Sequence, residues 1–430
     1  MRFSPGAVFC LALFAPAAFA QSAAEAANRE LPQWLRVGAE YRARAEGTEN
    51  RGFVEGASDT YLLNRIRIDL TVKPTAWMKF VFEGQDSRLF FNQRIPNAAP
   101  YENPMDLRIG YLELGDSDKS VFSLRAGRQE INFGDQRLIG SSNWANVARS
   151  FDAVRAIVRY GGVRVDAFAA SVVVPNPNGF DRPVTGDNLH GIAANFEKLI
   201  PGATLEPYLF WRLQPHLTAE NGARANLDMK TLGVRWVGKL PLRFDYTTEM
   251  ALQRGWLGPD RDRAWAGHWV LGHTLPARWT PRLVSEYNYA SGDKDPHDDV
   301  RGTFDHLYPT PHDKYGLCDQ VGWRNIHDLR LGVETKPRRN IGVAAYYHNW
   351  WLASARDALY AAGGAVIARS INGTAGTHVG QELDIQGLWT VNRQISIAAG
   401  VGHIFPGEFL KKTTPAAGYT FPFVMFTYKF

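Results

Sequence analysis

The chain has 430 residues, a formal net charge of +5 at pH 7 and 45% hydrophobic residues, with 13 Trp, 16 Tyr and 24 Phe. Beyond its first twenty residues there is no run of 18 apolar residues, which excludes a helical membrane protein. Two cysteines, Cys10 and Cys318, exclude a disulfide framework, and the mild charge balance points to no nucleic-acid partner. The basic set is lopsided, with 36 arginines against 12 lysines. Such an excess suits planar, bidentate recognition of carboxylate or phosphate, or Arg–acid ladders along a pore wall.

The chain opens with Arg2, an apolar stretch from Ala7 to Ala20 and a small-x-small end at Ala18-Phe19-Ala20. These are the parts of a secretory signal peptide, expected over residues 1–20 and too short to span a membrane as a helix. Residues 21–33 are then a short periplasmic segment and residues 34–430 the folded domain. The first strand is the clearest: Leu35, Val37, Ala39, Tyr41, Ala43 and Ala45 alternate with Arg36, Gly38, Glu40, Arg42, Arg44 and Glu46. One apolar and one charged face over about ten residues is a membrane-crossing length for a tilted strand. Near 60–73, Ile66, Ile68 and Leu70 oppose Arg65, Arg67 and Asp69.

The pattern predicts further strands near 76–86, 105–114, 120–129, 152–160, 162–171, 188–198, 203–213, 229–238, 241–254 and 263–275. It continues near 279–290, 324–336, 340–352, 379–390, 393–405 and 420–430, making eighteen in all. Alternation is weak in 188–198 and 263–275, and the phase of 105–114 is ambiguous. The last strand sets Val424, Phe426, Tyr428 and Phe430 against Met425, Thr427 and Lys429, the aromatic closing strand expected of an outer-membrane barrel.

Connections alternate long and short. Long gaps are expected at 47–59, 87–104, 130–151, 172–187, 214–228, 255–262, 291–323, 353–378 and 406–419, with short turns such as Gly161-Gly162 and Val391-Asn392 between. This layout predicts an all-β, transmembrane, antiparallel up-and-down barrel with long extracellular loops and short periplasmic turns. Its place is the outer membrane of a Gram-negative bacterium. Its expected partners there are outer-membrane lipid and lipopolysaccharide and the barrel-assembly machinery, and a monomer is expected. A β-propeller would repeat every 40–45 residues or so, and an ordinary soluble sandwich would not carry these ends.

On the alternation, the wall of the first seven strands turns Arg36, Arg42, Arg44, Arg65, Arg67, Lys79, Arg125, Arg155, Arg159 and Arg164 inward against Glu40, Glu46, Asp69, Glu83 and Asp166. The rest of the wall is more balanced. A positive side with several partly solvated arginines would pass anions from one contact to the next, binding well enough to admit them and weakly enough to release them. No cofactor, metal site or enzyme signature is expected. The acidic run Asp293, Asp295, Asp298 and Asp299 departs from the EF-hand pattern, His297, His306 and His312 fit no zinc spacing, and no Ser–His pair or GxSxG, HExxH or Walker motif occurs. The 291–323 loop is long enough to fold inward as a constriction.

Two segments carry a family resemblance. Residues 127–160 contain GRQ, GDQRLIG and RSFDAVR, and residues 286–337 contain YASGD and GTFDHLYPT. Both resemble the alginate-export family of outer-membrane proteins, with weaker similarity from about residue 34 to Phe430. The resemblance implies an 18-stranded barrel, an arginine-lined pore for an anionic polysaccharide of uronic acids, and a periplasmic export scaffold as partner. Among positions in or beside the matching segments it points to Arg128, Arg137, Arg149, Arg155, Arg324 and Arg330 as pore-lining, beside Arg42, Arg65, Arg67 and Arg159 from the alternation. Loss of Arg128 or Arg155 is expected to lower anion selectivity. The chain departs from the exporter in having a short turn at Val391-Asn392 where the exporter has a long periplasmic plug. An uptake porin for small anionic solutes such as sugar acids, and an adhesive barrel whose loops bind, are the rival readings.

Overall fold

The computed structural model describes residues 28–219 and 222–429; the expected signal peptide, Cys10 and Phe430 lie outside them. The first half of the chain forms β1 (Leu35–Thr48), β2 (Asp59–Thr75), β3 (Met78–Phe90), β4 (Asn103–Leu114), β5 (Phe122–Gln129), β6 (Phe151–Tyr160), β7 (Val163–Val174), β8 (Arg182–Ile200), β9 (Ala203–Thr218) and β10 (Arg224–Leu240). The second half forms β11 (Phe244–Leu257), β12 (Asp260–Thr274), β13 (Arg282–Ala290), β14 (Val300–Arg301), β15 (Ile326–Arg338), β16 (Ile341–Trp351), β17 (Ala358–Tyr360), β18 (Val366–Arg369), β19 (His378–Thr390), β20 (Ile395–Pro406) and β21 (Tyr419–Lys429). Eighteen of these pair antiparallel with their neighbours around a closed barrel, while β14 edges β12 and β17–β18 make a separate hairpin in a loop. Closure is direct: Tyr41 of β1 stands opposite Tyr428 of β21, and Ala43 opposite Phe426. Every one of the eighteen expected strands has its counterpart. At strand spacings of about 4.8 Å and a tilt near 40°, such a barrel is roughly 35 Å across between backbones.

The wall is inverted relative to a water-soluble protein. In β2, Ile66 and Ile68 are 45% and 55% exposed while Arg65 and Arg67 are 4% and 7% exposed. Exposed branched apolar residues beside buried guanidiniums make sense where the outside is lipid and the inside is polar. Exposed aromatics ring both ends of the wall. Trp77, Trp279 and Trp389 stand near the short turns, and Trp211, Trp256 and Phe91 toward the long loops.

The short turns follow local chemistry. Gly161 and Gly162 have φ of 61° and 86°, the left-handed pair that a two-residue hairpin turn needs. The weakly patterned segments also find their cause. Irregular pairing of β4 with β3 beside Arg108 and Ile109 puts both residues inside, so alternation fails there. In β12 the inward positions are Ala264, Ala266 and His268, too small or too polar to mark a face. Three expected long loops are short in the structure. The connections at 172–187, 214–228 and 255–262 shrink to residues 175–181, 219–223 and 258–259, because β7 to β12 continue beyond the apolar band.

Candidate functional site: a lumen crossed by two loops

Two long loops turn into the barrel. The first, residues 130–150 between β5 and β6, is held by the inward arginines of β1 and β2. Arg42 donates to Asn143 O (2.8 Å) and Ala145 O (3.0 Å), Arg65 to the same two carbonyls (3.0 and 3.2 Å), and Arg44 to Trp144 O (2.5 Å). Arg44 also lies 3.9 Å from the Trp144 ring centroid, and Arg67 donates to Asn143 Oδ1 (2.9 Å). Bonds from an ionised donor to a carbonyl are among the stronger hydrogen bonds. Three acids share the charge: Glu40 pairs with Arg65 (2.6 Å), Glu46 with Arg44 (2.5 Å) and Glu83 with Arg67 (3.4 Å).

The second loop lies between β13 and β15, and its part from residue 302 to 325 folds inward, as expected of the 291–323 segment. It grips the opposite wall. Arg212 of β9 holds the Asp305 carboxylate at 2.9 Å, Gln253 of β11 exchanges two hydrogen bonds with the Asp305 backbone, and Asp187 of β8 accepts from Tyr308 OH (2.6 Å). Farther along, Leu317 N and Cys318 N donate to Asp384 and Glu382 of β19. Burial alone would raise the Asp305 pKa, but Arg212, Arg324 and Arg301 outweigh it and hold the carboxyl well below the usual range. Burial, then the Arg324 charge, lowers His306 to about 3. The ion cluster is therefore as charged at pH 5 as at pH 7, with His306 neutral at both.

The loops meet in the lumen. Gly140 N donates to Tyr308 O (2.9 Å) and Tyr308 N to Leu138 O (2.8 Å), a parallel bridge, and Thr310 N donates to Gln136 O (2.9 Å). Trp144 stacks on His312 at 3.7 Å between ring centroids. Arg149 donates to the carbonyls of Gly140, Tyr308 and Pro309, and Arg137 joins Tyr315 OH (3.1 Å) to Glu286 of β13 (2.9 Å). The two loops start from nearly opposite sides of the barrel, so together they cross it.

On the periplasmic side of this crossing a cavity of about 280 Å³ opens against β6 to β11. Phe133, Leu138, Tyr208 and Phe210 supply apolar surface; Arg155, Arg164, Arg235, Asp166, Asn195 and Glu206 supply polar groups. Asp166 sits between Arg155 (2.7 Å) and Arg164 (2.7 Å), and Arg159 stands directly opposite Arg164 on the inner face. Arg125, opposite Arg155, pairs with Glu113 (2.5 Å), which also takes Lys79 (2.9 Å). Arg330 pairs with Glu286 (3.2 Å) and lies 3.6 Å from the Tyr346 ring centroid.

The sequence-derived arginines thus separate into four groups. Arg155, Arg159 and Arg330 are on the inner wall. Arg42, Arg65, Arg67, Arg137 and Arg149 are inside but hold loops, and Arg324 lies over Tyr360 of the next loop (4.6 Å) on the extracellular side. Arg128 is on the outside. It shares the phase of Phe122, which is exposed, and pairs with Asp152 (2.8 Å) and with Asp181 O (2.9 Å). Arg125 points inward, and a residue three positions on must point the other way, which corrects the reading of Arg128 as pore-lining. Arg128→Ala is accordingly expected to leave the reversal potential of the channel unchanged in a salt gradient, with a shift of the size produced by inner-wall changes counting against this placement.

Sequence reasoning missed the inward turn of residues 130–150 and the roles of Glu113 and Asp305. One signal was there: Ile131, Phe133, Leu138 and Ile139 are too apolar for a solvated loop, and all but Phe133 are fully or nearly fully buried. The acidic run at 293–299 satisfies backbone groups of its own loop, Asp293 accepting from Asp295 N and Asp298 from Val300 N.

Comparison with known proteins agrees with this architecture. The chain resembles three solved barrels. Pseudomonas aeruginosa OccK10 (OpdN) has a TM-score of 0.61 at 10% identity, with 93% of this chain and 99% of that one covered. P. aeruginosa OccD3 (OpdP) has a TM-score of 0.60 at 11% identity, covering 93% and 92%. Acinetobacter baumannii OccAB2 has a TM-score of 0.60 at 9% identity, covering 92% and 98%. At these identities the likeness is one of fold, that of an outer-membrane porin. No curated protein matches the chain. The family model described as alginate export matches residues 33–422, and the chain belongs to that family of outer-membrane channel proteins.

Proposed function

We propose that this channel passes an anionic polysaccharide, an alginate-like polyuronate, out of the cell. The observation that carries the reading is the family match over residues 33–422, joined to the arginine set around the cavity on the periplasmic side of the loops. There Arg155 and Arg164 share the carboxylate of Asp166, and Arg159 stands opposite Arg164 on the same inner face. A polymer with one carboxylate per sugar could exchange between such contacts without settling in any, since each guanidinium keeps donors beyond its wall partner. The wall itself supplies positioning and field, as a channel requires and a catalyst would not by itself need.

A second reading has its own support. The two loops cross the lumen, and the space below them has the size of a small solute, which suits uptake of sugar acids. Single-channel recording with polyuronate added to one side separates the two. Concentration-dependent block by polyuronate, absent with an uncharged polymer of equal length, is the expected result. Current blind to polyuronate but reduced by monomeric uronic acids would overturn the export reading in favour of uptake.

A further inference from the structure

The outer face of β9 to β12 carries a row of cations at one height. Lys230 stands opposite Trp211 on one side and Arg254 on the other, and Arg254 stands opposite Arg263. One step toward the loops, Trp256 stands between Asp228 and Arg261. All four cations are exposed, while their chain neighbours Met229, Gln253, Asp262 and Ala264 are buried inward. Cations directly opposite one another across a strand pair repel, so the row is costly unless something neutralises it.

The chain offers little to do so. Asp228 lies 3.8 Å from Lys230 and accepts from Trp211 Nε1 (2.8 Å). Asp262 faces the lumen and pairs with Arg301. Among the described residues no carboxylate is in ion-pair range of Arg254, Arg261 or Arg263, and Arg254 turns to the carbonyls of Gln253 (2.6 Å) and Ala264. Two other outward cations are matched, Arg88 by Asp86 (2.8 Å) and Arg128 by Asp152 (2.8 Å).

The height of the row identifies what meets it. Toward the periplasm the same faces continue as Leu232, Leu252 and Trp265, then Val234 and Met250, all exposed and apolar. From Lys230 to the end of β10 at Leu240 is ten residues, about 33 Å along the strand and about 25 Å of height at a tilt near 40°. That equals the apolar band of an outer-membrane barrel, about 25 Å. The row therefore stands at the headgroups of the outer leaflet, next to tryptophans of the kind that favour such interfaces.

We propose that this face binds a phosphorylated glycolipid of the outer leaflet, with a lipid A phosphate between Arg254 and Arg263. Lys230 and Arg261 flank the phosphate. Trp211 and Trp256 lie beside the sugars, and acyl chains run down Leu232, Leu252 and Trp265. Guanidinium groups match phosphate oxygens in pairs, and the anion removes the repulsion within the row. This site is independent of the solute carried inside.

The test is native mass spectrometry of the detergent-solubilised barrel with purified bisphosphorylated lipid A and, separately, the same lipid dephosphorylated. Occupancy of the wild-type protein is expected to be roughly tenfold higher with the phosphorylated form. The variant Lys230→Gln/Arg254→Gln/Arg263→Gln is expected to fall to the dephosphorylated level with its single-channel conductance unchanged, while Arg88→Gln keeps wild-type occupancy. Equal wild-type occupancy with the two lipids would overturn the proposal whether or not the triple variant folds. Full occupancy in a folded triple variant would overturn it as well.

Discussion

Replacing Arg42, Arg44 and Arg65 together by Ser is expected to raise single-channel conductance several-fold. These three side chains make five hydrogen bonds to the carbonyls of Asn143, Trp144 and Ala145. Bonds with a charged partner contribute about 1.5–3 kcal/mol each, and crowding of like charges in the cluster offsets part of that. Several kcal/mol of net attachment is enough to keep a loop seated nearly all the time. Without it, residues 143–146 lose their hold on β1 and β2, while the bridge from Gly140 to Tyr308 still ties the loop at its other end. Glu46 loses Arg44 and Glu40 keeps only the more distant Lys429 (3.9 Å), but both sit where water enters as the loop leaves. Recording in 1 M KCl, where the Debye length is about 3 Å, makes the change report on width and not on charge. Wild-type conductance in the triple variant would mean that the loop stays seated through its other contacts.

The second large effect is on selectivity. Arg155→Gln/Arg159→Gln/Arg164→Gln is expected to convert anion preference to cation preference. With Arg235, Asp166, Glu206 and Glu249 of the same cavity counted, the formal local charge passes from one positive to two negative. Each unit charge near 4 Å from a passing ion is worth about 1 kcal/mol even at the dielectric constant of water. Three such changes move the permeability ratio by roughly a hundredfold. The effect must fade in high salt, since it acts over a Debye length of about 10 Å at 0.1 M. A reversal potential that keeps its sign at low salt would place the selective step elsewhere, with Arg330 and Arg137 as the next inner arginines to change.

The sequence made the barrel legible because lipid imposes one rule on every strand: apolar outside at every second residue. All eighteen strands follow from that rule, and the failures are places where something else intervened. At Arg108 and Ile109 an irregular pairing suspended the alternation. Along β12 small inward residues blurred it. At Arg128 the rule was right and the family motif around it was misleading, since Arg125 already fixed the phase. What periodicity could not give was the path of residues 130–150, which depends on distant partners, Arg42 lying 101 positions before Asn143 and Tyr315 lying 178 positions after Arg137. The candidate site was therefore half legible. Inward arginines were recognisable as inward, but whether each meets solvent or a loop carbonyl is decided by tertiary contacts that no local pattern encodes.

The account is tested most directly by the reversal potential of the wild-type protein in a planar bilayer under a KCl gradient, with the dilute side near 0.1 M. An inner wall dominated by Arg155, Arg159 and Arg164 predicts an open channel whose current reverses toward the chloride potential. A current that reverses toward the potassium potential, or no current at all, would contradict it.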